Sequence, residues 1–112
     1  MTTSDLTVLG FVPVGPVASE PLEAGYTSDL LSDVMANAVE GAVLVTIQAH
    51  KNTVAVASLV GLAAIVVCND RPVADDMLEA ARREGIAVFQ TANNQFETSA
   101  LLARKLGAEP AD

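Results

Sequence analysis

Between Gly41 and Gly107 the sequence repeats one unit three times: a short β-branched apolar run, a polar loop, a helical stretch and a glycine. Val43-Leu44-Val45-Thr46-Ile47 is followed by a helical pattern from Asn52 to Val60. Ala64-Ile65-Val66-Val67-Cys68 leads to an amphipathic stretch from Ala74 to Glu84, and Ile86-Ala87-Val88-Phe89 leads to one from Gln95 to Leu106. Runs this short and apolar suit strands buried on both faces, and strand starts roughly 22 residues apart leave room for a helical crossover. Right-handed crossovers then give at least three parallel strands with helices packed on them. Gly41, Gly61, Gly85 and Gly107 each follow a helical stretch, where a left-handed C′ residue is wanted. Asn94, with Glu97 three residues later, reads as a capping box opening the last helix.

Ahead of this core the pattern is weaker. Leu6 to Val12 reads as a strand, then Pro13, Gly15, Pro16 and Pro21 break any regular element, with room for a second short strand at Val17-Ala18. The first few residues read as a loose tail. Ser28 is placed to cap a helix from Asp29 to Val39, with Leu30, Leu31, Val34, Met35 and Ala38 facing the core. In that register Ser28, Asp29, Ser32 and Asp33 share an exposed acidic face, a candidate interaction surface. The expected organisation is a single domain over 1–112, with an irregular N-terminal strand segment at 1–24 and a regular α/β core at 25–107.

Composition narrows the function. Formal net charge is −8, and residues 1–50 hold six acids and no Lys or Arg. Without a basic stripe to displace counterions, nucleic acid is not an expected partner, and an anionic membrane surface is disfavoured for the same reason. Cys68 is the one cysteine, so no internal disulfide is possible, and it sits in an apolar run that favours a buried thiol. No stretch reaches the ~18 apolar residues of a membrane span, and the N-terminus lacks a signal-peptide pattern. The expected compartment is the cytoplasm.

Ligands of parallel sheets gather beyond the carboxyl ends of the strands. Three loops are predicted there: Gln48 to Asn52, Asn69 to Pro72, and Thr91 to Gln95. They nominate Gln48, His50, Asn52, Asn69, Arg71, Asn93 and Asn94 as ligand-binding candidates. Each of these also suits a turn or cap. His50 has no Ser or Cys nucleophile at a recognisable spacing, so no catalytic residue is assigned. The glycine-rich phosphate loops and the His-Glu-x-x-His zinc pattern are missing, so neither a cofactor nor a metal is expected. The charges of 75–84, acids early and bases late, follow the helix dipole.

Two strings carry a family resemblance: Gly25 to Ala38 (GYTSDLLSDVMANA) and Thr46 to Ala57 (TIQAHKNTVAVA). Together they resemble the small stand-alone DRTGG-domain proteins, which are similar to the N-terminal domain of HPr kinase/phosphorylase. The similarity covers roughly Gly25 to Gly107. It implies a three-layer α/β/α fold with a mostly parallel, mixed sheet and a regulatory role without catalysis. Related domains accompany CBS pairs and phosphotransacetylases, and stand-alone members are encoded near iron-only hydrogenase and redox-signalling genes. A homo-oligomer, a small-molecule ligand and a redox or signalling protein partner are therefore the expected associations. The chain departs from the family in lacking a literal Asp-Arg-Thr-Gly-Gly string. It carries Cys68-Asn69-Asp70-Arg71-Pro72 where relatives have a Thr-Gly-Gly-like turn.

Overall fold

The computed structural model describes residues 1–107. Its elements in chain order are α1 (Asp5–Val8), β1 (Val12–Pro13), β2 (Ala24–Thr27), α2 (Leu31–Asn37) and β3 (Ala42–Thr46). They continue with α3 (Lys51–Val60), β4 (Ala64–Val67), α4 (Asp75–Glu84), β5 (Ala87–Gln90) and α5 (Gln95–Leu106). The strands form one sheet in the order β1-β5-β4-β3-β2. β2 to β5 are parallel, and β1 runs antiparallel to β5 at the edge.

From β2 to β5 each strand lies beside the next in sequence. Right-handed crossovers that always step the same way keep their helices on one face. Accordingly Val34 of α2, Val54 and Ala57 of α3, and Met77 and Ala81 of α4 share a core with Leu44, Ile65 and Val88. On the other face Leu6 of α1, Phe11, Leu22 and Leu102 of α5 cover Val43, Val45, Val66 and Phe89. The result is a three-layer α/β/α sandwich. β3 and β4 are buried along their whole length, as their unbroken apolar runs require. Burying each of the larger side chains, such as Leu44 or Ile65, contributes about 1.5–3 kcal/mol.

The helix ends follow the glycine pattern with one exception. Gly61, Gly85 and Gly107 terminate α3, α4 and α5 in the left-handed conformation. Gly41 also has positive φ, but α2 has ended at Asn37 with an extended Ala38, so Gly41 shapes the turn into β3 instead.

The N-terminal third differs most from its sequence reading. Leu6 lies in a helix, α1, and the strand is reduced to Val12–Pro13. The start of the chain is fastened by its own polar groups. Asp5 Oδ2 accepts the Thr2 N–H, and the fully buried Thr3 hydroxyl donates to Ala18 O while accepting from Glu20 N. Thr3 therefore anchors what composition alone marks as a tail. Val17-Ala18 forms no strand, although Val17 packs on the core. An additional strand, β2, occupies Ala24–Thr27, just where the helical core was expected to open. Helix α2 consequently starts two residues late, and both Leu30 and Met35 are exposed rather than buried.

Candidate functional site

The delayed start of α2 moves Asp29 out of the helix and onto the carboxyl ends of the strands. Its Oδ1 accepts the Thr46 hydroxyl at 2.9 Å and the Ile47 N–H at 2.8 Å, both at the end of β3. The side-chain amide of Gln95, the first residue of α5, donates to both carboxylate oxygens at 3.0 and 3.2 Å. Since α2 and α5 lie on opposite faces, the Asp29–Gln95 contact bridges the two helical layers over the top of the sheet.

Gln48 and His50 extend the network. Gln48 Nε2 donates to the Asp29 carbonyl at 3.1 Å, and Gln48 Oε1 shares a 3.0 Å hydrogen bond with His50 Nε2. The buried Thr53 hydroxyl donates to Gln48 O at 2.8 Å and holds the loop against α3. Beneath lies Cys68, fully buried, whose thiol donates to Thr98 at 3.5 Å. Burial pushes that thiol up; the Thr98 hydrogen bond lowers it, and the Asp29 carboxylate raises it further.

The other candidates are arranged differently. Asn69 and Asp70 both adopt positive φ, which Asn and Asp tolerate better than other non-glycine residues. This sharp turn lets Asn69 N and Asp70 N donate to Asn93 O and Thr91 O, tying the second loop to the third. Arg71 contributes its carbonyl to Gln90 Nε2, and its guanidinium is exposed. Asn94 is occupied in the capping box: its side chain accepts Glu97 N at 2.8 Å, and Glu97 Oε1 accepts Asn94 N at 3.0 Å. Asn52 and Asn93 expose their side chains.

The Ser28, Asp29, Ser32, Asp33 face does not form as expected. Asp29 belongs to the strand-end network, and the Ser28 hydroxyl accepts Leu30 N within the loop. Asp33 instead accepts the Tyr26 hydroxyl at 2.8 Å and the Asn37 amide at 2.9 Å; only Ser32 is plainly exposed. The Tyr26 hydrogen bond holds the Asp33 carboxyl below its usual range, with Ser28 and Asn37 adding to the effect. Tyr26 is raised correspondingly, first by that same bond.

Sequence reasoning nominated Gln48 and His50 for this edge, assigned their anchor Asp29 to an exposed helix face instead, and did not nominate Gln95. The available signal was Asp29 itself, a carboxylate just before a helix and within loop reach of a strand end. A broad, open concavity lies at the opposite edge of the sheet. It is a cleft of about 690 Å³ at the amino ends of the strands, with Glu20, Glu23, Glu40 and Glu84 in its walls. Among the described residues no three His, Cys, Asp or Glu side chains are grouped to hold a metal ion. No described helix is long and apolar enough to cross a membrane. Neither a family model nor a curated protein matches the sequence.

Proposed function

We propose that this chain is a non-catalytic regulatory domain that binds a small anionic or polar metabolite at the carboxyl edge of its sheet. The observation that carries the reading is the N-terminus of α3. No side chain caps it and no acid lies in its first turn, whereas α4 opens with Asp75 and Asp76 and α5 with a complete capping box. A helix start left in this state favours an anion. His50 and Lys51 stand at that terminus, and Gln48, fixed through Asp29, orients the imidazole. The resemblance to DRTGG-domain proteins supports the same regulatory role.

A thermal-shift screen against phosphate, nucleotides and polycarboxylates tests it. A ligand present at a hundred times its Kd stabilises the fold by about 2.7 kcal/mol. The expected hit raises Tm in the wild type and does so less in Lys51→Ala and His50→Ala. A flat response across the whole screen overturns the reading.

The acidic cleft favours a second reading, a protein-interaction module. Glu20, Glu23 and Glu40 come from the half of the chain that has no base, and Glu84 joins them. Such a surface suits a basic partner, a redox or signalling protein among them. Capture of that partner then weakens steeply with salt, and salt-insensitive capture counts against it.

A further inference from the structure

The two edges of the sheet are not alike. β1 is two residues long and contains Pro13, features that blunt an edge against further pairing. β2 is four residues long, Ala24–Thr27, with neither proline nor charge, and it pairs only with β3. Ser28 N donates to Val45 O, so the two-residue period of a strand turns the peptide groups of Tyr26 and Ala24 toward β3 as well. Gly25 and Thr27 therefore turn theirs outward, where the described chain offers no strand to meet them.

Helix α5 overhangs this edge. Ser99 shares a 2.6 Å hydrogen bond with Thr27, and Ser99 and Ala103 line a small groove, about 160 Å³, between α5 and β2. Helical spacing puts Phe96 and Ala100 on that same flank. Phe96 is 83% exposed, the most exposed large apolar side chain of the described chain. Phe96, Ser99, Ala100 and Ala103 carry no charge; Arg104, one turn beyond Ala100, stands at the margin of the flank, and Glu97 and Lys105 fall on other sides of the helix.

We propose that the β2 edge and the Phe96–Ala103 flank of α5 form a two-fold interface with a second copy of this chain. Antiparallel pairing centred on Tyr26 sets Gly25 of one copy opposite Thr27 of the other, twice, so the outward peptide groups satisfy one another. The small residue meets the larger one: Gly25 brings no side chain to the seam, and the space beside its Cα is bounded by Val43 and Leu106, which a Cβ built there would touch at 3.7 and 3.9 Å. The two α5 helices come side by side over the joined sheet, where Ala100 and Ala103 allow close approach and both Phe96 rings leave water. A chain of net charge −8 meets itself with least repulsion where charge is absent. The blunted β1 edge stops growth at two copies, giving a closed dimer.

Sedimentation equilibrium on the full chain tests this. The wild type is expected to be a dimer. Thr27→Pro, which removes an outward N–H, and Phe96→Asp are each expected to weaken association at least about tenfold. Leu59→Asp, an exposed site on the opposite helical layer, leaves it unchanged. Phe96→Asp alters a side chain with little role in the monomer, so it decides the matter even where Thr27→Pro folds poorly. The register has its own check. Non-hydrogen-bonded antiparallel pairs have Cα atoms about 4.5 Å apart, within disulfide range, so Tyr26→Cys is expected to give a covalent dimer with oxidised glutathione. A wild type that stays monomeric at every concentration overturns the proposal and leaves the edge to some other extended segment. A dimer that survives Phe96→Asp at full strength also overturns it.

Discussion

Asp29 accepts the backbone N–H of Ile47 at 2.8 Å, across a sequence gap that contains all of α2 and β3. Through this bond and its contact with Gln95, one carboxylate fixes the exit of β2, the end of β3 and the start of α5 together.

Asp29→Ala leaves the Ile47 N–H and the Thr46 hydroxyl without their acceptor in a part-buried site. Hydrogen bonds to a charged group are worth about 1.5–3 kcal/mol, so a loss of about 2–3 kcal/mol is expected. Asp29→Asn, which keeps one acceptor oxygen, loses less. Urea unfolding reads both as a lower midpoint at unchanged slope.

Tyr26 is the chain's only tyrosine, and there is no tryptophan, so near-ultraviolet phenolate absorbance reports this one residue. Its pKa is raised, chiefly by the Asp33 hydrogen bond, and Asp33→Asn is expected to bring it back toward the ordinary value. The sign for stability follows from linkage. A raised folded pKa gives Tyr26 a stabilising contribution that is full below its unfolded pKa and lost as pH rises through the folded one. Asp33 is depressed, so its contribution is present above the unfolded carboxylate pKa and lost as pH falls through the folded one. In the Asp33→Asn variant the Asp33 dependence disappears and the Tyr26 dependence shrinks to the part that burial causes.

Asn94 and Asn52 look alike in the sequence, and the structure separates them. Asn94→Ala removes the acceptor for Glu97 N and is expected to cost about 1 kcal/mol. Asn52→Ala, at an exposed position, stays within about 0.5 kcal/mol. Thermal unfolding of the two variants side by side checks the contrast. If Asn52 contacts the anionic ligand, its effect appears only in the ligand-dependent shift.

Cys68 is fully buried and its thiol is raised, so thiolate chemistry is suppressed in the folded state. Modification by a thiol reagent is expected to proceed only through opening of the structure, and to accelerate with denaturant in step with unfolding. Fast labelling of the native protein would contradict the placement of Cys68 under Thr98.

The parts of the fold legible in the sequence are those whose physics is local. The runs at β3, β4 and β5 are apolar because both faces are covered, and Gly61, Gly85 and Gly107 mark backbone conformations that other residues resist. The Asn94–Glu97 box is a local device and was readable as one. β2 was not: Ala24 and Gly25 are weak strand formers, Tyr26 and Thr27 alone are too short a run to mark a strand, and pairing with β3 makes the segment one. α1 is likewise a product of tertiary contacts, with Leu6 drawn into the core formed by Phe11 and Phe89. Losing β2 shifted the start of α2, and that shift placed Asp29 on a solvated helix face instead of at the centre of the rim. Gln48 and His50 were found because loop polarity is visible in one dimension. Their link to Gln95 depends on a contact between residues far apart in the chain.

The sequential order β2-β3-β4-β5 carries a consequence for how the molecule assembles. Each parallel pairing closes only one helical crossover, so zipping can spread from any of these strands to the next. β1 is the exception, since Val12 and Pro13 must find Gln90 and Phe89 near the other end of the chain. Closing a long loop for two residue pairs yields little until β5 is already in place. The N-terminal segment should therefore arrive last and depart first, and its amides should exchange with solvent well before those of β3 and β4.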